Sequence, residues 1–161
     1  MSLSPARSAR TRDSLTAHAL RLLGAVALLA VGYVHLKEYR GGYSGIPTIG
    51  TLFLLNAISA AAAAVALLAP MARLRRADPL LALSGVAISL GALVGLLVSE
   101  QTPLFGFMES GYRTVIIQAI AAEAIATVAL VGFLLLRRHH DKPRRVRISA
   151  GVVAGVVTRS G

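Results

Sequence analysis

The chain alternates long apolar segments with short polar ones. Four apolar segments lie at about 17–36, 50–69, 79–99 and 114–136, and each has at least 20 residues. A helix rises about 1.5 Å per residue, so each segment is long enough to cross a hydrocarbon core about 30 Å thick. The pattern predicts an all-α fold, a membrane four-helix bundle with short loops and disordered basic termini.

The polar ends and turns complete this predicted layout. Residues 1–16 are polar and are expected to form a flexible cytoplasmic leader, and residues 137–161 a basic cytoplasmic tail. Arg21 is expected to extend from the first span toward the membrane surface. Pro79 suits the first turn of a helix and is expected to open the third span.

The basic residues predict how the bundle is oriented. With the N-terminus in the cytoplasm, fourteen of the seventeen Lys and Arg residues fall on the cytoplasmic side, and only Lys37, Arg40 and Arg113 fall outside. Such a bias places both termini inside. The predicted location is therefore the cytoplasmic membrane, as a multi-pass protein.

Composition agrees with this class and excludes others. Hydrophobic residues make up 55% of the chain and charged ones 15%, as in a polytopic membrane protein. Because there is no cysteine, disulfides and thiolate chemistry are excluded. The formal charge of +10 comes from bases beside the apolar segments, which favours the lipid bilayer over nucleic acid. The basic tail is expected to bind anionic lipid.

Glu123 is the main candidate for chemistry. It lies about 3 Å from the middle of the fourth span, where an acidic side chain costs roughly 3 kcal/mol unless it faces protein or water. Two interpretations stay open. A protonated carboxyl could hydrogen-bond Asn56 or Ser59 on a neighbouring helix as a structural contact, or Glu123 could carry a proton, bind an ion or hold a polar head group.

Other polar residues share its half of the membrane. In the predicted topology, His35, Asn56 and Gln118 also lie in the outer half, whereas Ser84 is the main polar group of the inner half and can bond to its own helix. This asymmetry predicts a polar recess that opens outward and narrows toward Glu123.

A second candidate arrangement surrounds His35. Glu38 and Tyr39 follow it by about one helical turn and are expected beside the imidazole, where the group could take part in proton transfer. The alternative is an interfacial histidine bonded to loop backbone. His-x-x-Glu alone supplies only two ligands, so no metal site is predicted, although Glu100 and Glu109 from the other outer loop could join the group.

Small and aromatic residues give packing predictions. Gly91, Gly95 and Ser99 share one face of the third span and are expected to pack within the bundle, with a homodimer contact as the alternative. Alanines of the second and fourth spans are expected to pack in the same way. Seven of the eight aromatic residues fall near the outer interface, which is typical of an anchoring belt (Tyr33, Tyr39, Tyr43, Phe53, Phe105, Phe107 and Tyr112).

Several of these residues also occur in motifs. His35 with Tyr39 and Tyr43, residues 46–56 (IPTIGTLFLLN), and residues 104–109 (LFGFME) ahead of a span carrying Glu123 resemble small uncharacterised actinobacterial four-span membrane proteins. The resemblance covers residues 22–136 and implies the same four-span fold. In layout alone the chain is also similar to DoxX-like four-helix proteins, some of which associate with quinone-linked oxidoreductases; this analogy assigns no residues.

The functional hypothesis is a non-enzymatic membrane protein that binds a small apolar ligand or a partner subunit through the recess. Its candidate ligand-binding or proton-relay residues are Glu123, His35, Asn56, Gln118, Glu38 and Tyr39. One alternative is an accessory subunit of a redox system, with quinone as the candidate cofactor. Another is a small transporter or ion pathway, although four spans without an evident repeat make a poor monomeric transporter.

Overall fold

A computed structural model describes residues 5–69, 77–109, 111 and 113–141. These residues form helices α1 (Pro5–Arg40), α2 (Ile49–Leu68), α3 (Asp78–Gln101) and α4 (Thr114–Asp141), with a short 3-10 helix at Tyr43–Gly45. No strand is present in these ranges, which confirms the predicted all-α four-helix bundle. Each of the four helices contains a stretch long and apolar enough to cross a membrane.

The helix ends differ from the sequence prediction at both termini. Helix α1 begins at Pro5, so the described part of the predicted flexible leader is helical. Helix α4 continues to Asp141, five residues into the predicted tail. Asp78 and Pro79 open α3, as expected for proline in the first turn. Residues 70–76 with Arg73, Arg75 and Arg76, which are among the fourteen basic residues predicted on the cytoplasmic side, lie outside the described residues, as do Tyr112 and the tail from 142.

The helices form an antiparallel bundle in which successive helices pack together and α4 packs against α1. Helix α1 contacts α2 and α4 most extensively, and α2 and α3 make the smallest contact of the four neighbouring pairs. The core is built from small and branched residues, among them Leu28, Val31, Ala60, Leu67 and Leu130. The alanine prediction is confirmed for Ala57, Ala60, Ala63 and Ala64 on α2 and for Ala122 and Ala126 on α4, which are buried, whereas Ala62 is exposed and Ala61 and Ala119 are only partly buried.

Close packing occurs at Gly85, which was not among the glycines predicted to pack. A Cβ placed on Gly85 of α3 would come within 2.6 Å of Leu130 and 2.8 Å of Leu28. In contrast, a Cβ on Gly91 or Gly95 would meet no atom within 4 Å. The predicted close packing through Gly91 and Gly95 inside the bundle is therefore wrong; their missing side chains leave open space.

A cluster of ion pairs holds three helices together at the end of the bundle that carries the termini. Oδ2 of Asp78 on α3 lies 3.5 Å from Nη1 of Arg21 on α1 and 3.6 Å from Nη1 of Arg137 on α4. The Asp78 and Arg21 side chains are only 8% and 11% exposed. Arg21 therefore does not extend to the surface as predicted, because Asp78 supplies a partner inside the bundle.

Candidate functional site

A cavity of about 390 Å³ lies at the other end of the bundle, where the α1–α2 and α3–α4 connections meet. All four helices contribute to its wall, which is mostly apolar and includes Ile49, Phe53 and Leu96. The cavity lies along the weak α2–α3 contact, and Gly91 and Gly95 of α3 line it. Its size is in the range of small-molecule pockets in proteins, about 300–1,000 Å³.

Glu123 and His35 face each other in the wall of this cavity. Glu123 is 2% exposed, and its Oε1 lies 3.7 Å from Nε2 of His35 on α1. The other carboxyl oxygen, Oε2, is buried and has no hydrogen-bond partner among the described residues. The prediction that Glu123 faces protein is confirmed. Its neighbour is His35, however, and neither Asn56 nor Ser59 satisfies the carboxyl.

The backbone fixes which nitrogen of His35 faces the carboxyl. Nδ1 lies 2.9 Å from the carbonyl oxygen of Val31, one turn earlier in α1. Because a carbonyl only accepts, Nδ1 must carry the proton in this bond. In neutral His35, Nε2 is then an acceptor directed at Glu123. A proton between Nε2 and Oε1 would still leave Oε2 of Glu123 without a partner, whereas a hydroxyl of a ligand could donate to it.

Other buried polar atoms of the described residues also have no hydrogen-bond partner. Oδ1 of Asn56 on α2 lines the same cavity and is buried without a hydrogen-bond partner in the described structure. The hydroxyls of Ser89 on α3 and Thr127 on α4 are buried and unpartnered as well. An unmet buried polar atom costs about 1–3 kcal/mol. Of these three residues only Asn56 lines the cavity, so Oδ1 of Asn56 and Oε2 of Glu123 are the unmet atoms that a ligand there could reach.

Loop residues close the cavity at the connection end, and we call Tyr43, Leu104, Phe107 and Glu109 the cap. The Tyr43 hydroxyl donates to Oε2 of Glu109 and accepts from Nη2 of Arg113 at 2.8 Å. Nη2 of Arg113 also lies 3.3 Å from Oε2 of Glu38 and 3.6 Å from Oε1 of Glu109. This network joins both connections to α1.

Aromatic packing connects the cap to the deeper pair. The Tyr43 ring stacks on Phe53 at 4.5 Å, and the Phe107 ring meets Tyr43 edge-on at 5.5 Å. Phe53 in turn lies 5.1 Å from the His35 ring. These three partly buried rings therefore pack against one another and against His35, a role that the predicted anchoring belt did not include.

A tight two-residue turn positions Phe107. The backbone N–H and carbonyl groups of Leu104 and Phe107 bond to each other in both directions, at 2.7 and 3.0 Å. The two turn residues, Phe105 and Gly106, have φ of 52° and 79°. This is the geometry of a primed hairpin turn, which glycine adopts readily and phenylalanine rarely.

The environment of Tyr43 gives a prediction on pH. Burial, followed by the hydrogen bond to Glu109, raises the pKa of Tyr43 well above its usual value of 10.0. The unfolded chain therefore loses this proton at lower pH than the folded chain, so the stability that Tyr43 contributes falls as the pH rises above about 10. Tyrosinate formation can be followed by absorbance as the pH is raised. Near pH 10.0, Tyr43→Phe should not change the absorbance increase of the folded protein, in which Tyr43 keeps its proton, but should reduce the increase of the denatured protein. A smaller increase in the folded variant would contradict this.

The structure brings together four of the six predicted site residues. Glu123, His35, Asn56 and Glu38 line the cavity. Gln118 is exposed on α4 and does not line it, because it lies on the outer face of the helix. Tyr39 is half-buried and also lies outside the cavity wall. Glu38 does not lie against His35 as expected but pairs with Arg113.

The burial of the Ser89 and Thr127 hydroxyls without partners was not predicted from the sequence, and neither residue lines the cavity. Glu109 was predicted only as a residue that could join the His35 group, and it closes the cap through Tyr43 and Arg113 instead. No group of three or more His, Cys, Asp or Glu residues close enough to hold a metal occurs in the described part of the chain.

No protein-family model, curated protein or solved structure matches this chain. The four apolar helices by themselves identify a multi-pass membrane protein.

Proposed function

We propose that this protein binds a small, predominantly apolar ligand with a polar head group in the cavity between α2 and α3. The observation that carries the proposal is the carboxyl of Glu123, which is 2% exposed, lines the cavity and has one oxygen without a partner. In a purely structural role, a neighbouring helix would satisfy both oxygens, because leaving one unmet costs stability. A cavity also suits a small ligand better than a partner subunit.

A tryptophan reporter tests the proposal, because the chain has no tryptophan of its own. Leu96→Trp places an indole in the cavity wall, and Leu97→Trp places one on the exposed face beside it. Decylbenzoquinone, a quencher with an apolar tail, is titrated into protein in lipid nanodiscs. We expect saturable quenching at position 96 and only non-saturating quenching at position 97; the same non-saturating response at both would overturn the proposal.

A cavity-filling variant checks that the probe occupies this space. Gly95→Leu, combined with Leu96→Trp, directs a side chain into open volume, because a Cβ at Gly95 meets no atom within 4 Å. We expect it to weaken probe binding about tenfold or more, equivalent to at least about 1.4 kcal/mol. Ala87→Leu, on the exposed face of the same helix, is the matched control and should leave affinity unchanged.

A second candidate function is supported by the facing pair of His35 and Glu123. Reduction of a quinone to a quinol takes up two electrons and two protons, and this pair could pass the protons while a partner oxidoreductase supplies the electrons. The protein would then be an accessory subunit of a quinone-linked redox system. This role requires both redox forms to bind, so decylbenzoquinol should compete with the quinone in the reporter assay.

A further inference from the structure

We infer that the ligand is an uncharged amphiphile of the bilayer that enters sideways between α2 and α3, with its hydroxyl or carbonyl head group at Glu123. This inference rests on the proposed function and adds the route and the ligand class. It follows from three features: where the cavity wall is exposed, what closes its end, and which charges face its interior.

The exposed part of the cavity wall lies on the side of the bundle. Leu52 and Leu55 of α2 line the cavity and are 43% and 54% exposed. Ser59 of α2 and Gly91 of α3 also line it and are exposed. We call these four residues the mouth. They lie about 5–15 Å along their helices from the connection end, at the depth of the hydrocarbon, so the mouth faces lipid.

The end of the cavity nearest the aqueous phase is covered. Tyr43 and Glu109 of the cap are bonded to each other and to Arg113, and Phe107 packs on the Tyr43 ring. Opening this end would separate a stacked ring pair and a charged hydrogen-bond network. Opening the side requires only movement of lipid away from the mouth, so lateral entry is the less costly route.

The charges of the wall select an uncharged head group. Among the described residues, those that line the cavity include three with carboxyl groups, Glu38, Glu109 and Glu123, and none of them is Lys or Arg. An anionic head group would meet like charge in a low-dielectric site. A cationic head group is not favoured either. Glu38 and Glu109 already pair with Arg113, and Glu123 faces His35, so these carboxyl groups are not all available to a cation. The unmet oxygens of Glu123 and Asn56 fit a hydroxyl, and a protonated Glu123 would fit a carbonyl.

The route is tested by binding kinetics with the Leu96→Trp reporter in nanodiscs. Gly91→Phe narrows the mouth, and Leu90→Phe, on the adjacent exposed position outside the cavity wall, is its matched control. Ser44→Cys introduces the only cysteine of the chain at an exposed position beside the cap. A bulky impermeant maleimide attached there covers the outer side of the cap and obstructs entry from the aqueous end. We expect Gly91→Phe to slow association of decylbenzoquinone about tenfold, with Leu90→Phe and the maleimide adduct close to the parent rate.

Head-group selection is tested by competition between amphiphiles with the same tail. Decanol should displace the probe, while decyltrimethylammonium and decyl phosphate should be about tenfold weaker or worse. If binding is saturable, and the maleimide adduct slows association while Gly91→Phe does not, lateral entry is overturned and the proposed function stands. Stronger displacement by either charged amphiphile would overturn the uncharged head group. Absence of saturable quenching would overturn both proposals together.

Discussion

Replacing Glu123 with methionine is expected to stabilise the bundle and to weaken ligand binding. Methionine has similar length and fills the same space without a polar atom. The change removes a buried oxygen that has no partner, and the 3.7 Å separation from His35 is too long for a good hydrogen bond. We expect a gain of roughly 1–3 kcal/mol in the free energy of unfolding, measured by denaturation in mixed micelles.

The binding readout separates a functional carboxyl from a structural one. Glu123→Met in the Leu96→Trp background should weaken binding of decylbenzoquinone about tenfold or more, because the head group loses its partner. Glu123→Gln keeps one acceptor and one donor in the same shape and should retain more affinity than Met. If Glu123→Met destabilised the protein, the carboxyl would hold the helices together, and the functional interpretation would fail.

Replacing Asp78 with asparagine is expected to give the largest loss of stability among single substitutions of charged residues. The carboxylate lies between Arg21 and Arg137, so its removal leaves two guanidinium groups close together without their common counter-ion. Removing one partner of a buried ion pair typically lowers the free energy of unfolding by about 3–5 kcal/mol. Because the Arg137 side chain is 32% exposed and water screens it in part, we expect about 3 kcal/mol.

Two controls make this measurement specific. Asp13→Asn removes an exposed carboxylate from the same end of α1 and should change the free energy of unfolding by less than about 0.5 kcal/mol. Arg21→Met combined with Asp78→Asn removes one of the two guanidinium groups that face position 78 and should recover part of the loss. Equal stability of Asp78→Asn and the parent would show that the cluster does not join α1, α3 and α4. Binding at the cavity, at the other end of the bundle, should persist in folded Asp78→Asn.

Some features of the site follow directly from the sequence. A carboxyl deep in an apolar span has to face protein, so the burial of Glu123 could be predicted from its position alone. Ser84 bonds the carbonyl of Leu81 in its own helix, as expected for a serine without another partner. The burial of Ala57, Ala60, Ala63 and Ala64 on α2 could also be predicted, because small side chains let helices approach in lipid.

Other features depend on how far each helix is rotated and what lies across from it. Gln118 and Glu123 share α4, yet Gln118 is exposed and Glu123 buried, because five positions along a helix turn the side chain to another face. Gly91 and Gly85 share α3, yet one lines open space and the other is in tight contact with Leu28 and Leu130. Spacing along one helix cannot distinguish these cases.

The amino-acid sequence by itself determined the four apolar helices, the class of protein and the burial of Glu123, because each depends on local composition and on the cost of polar groups in lipid. Only the tertiary structure decided that His35 faces Glu123, that Glu38 turns to Arg113 and that Asp78 joins three helices. These pairs form between helices distant in the chain. Their geometry depends on helix rotation and crossing, which the packing of the whole bundle fixes.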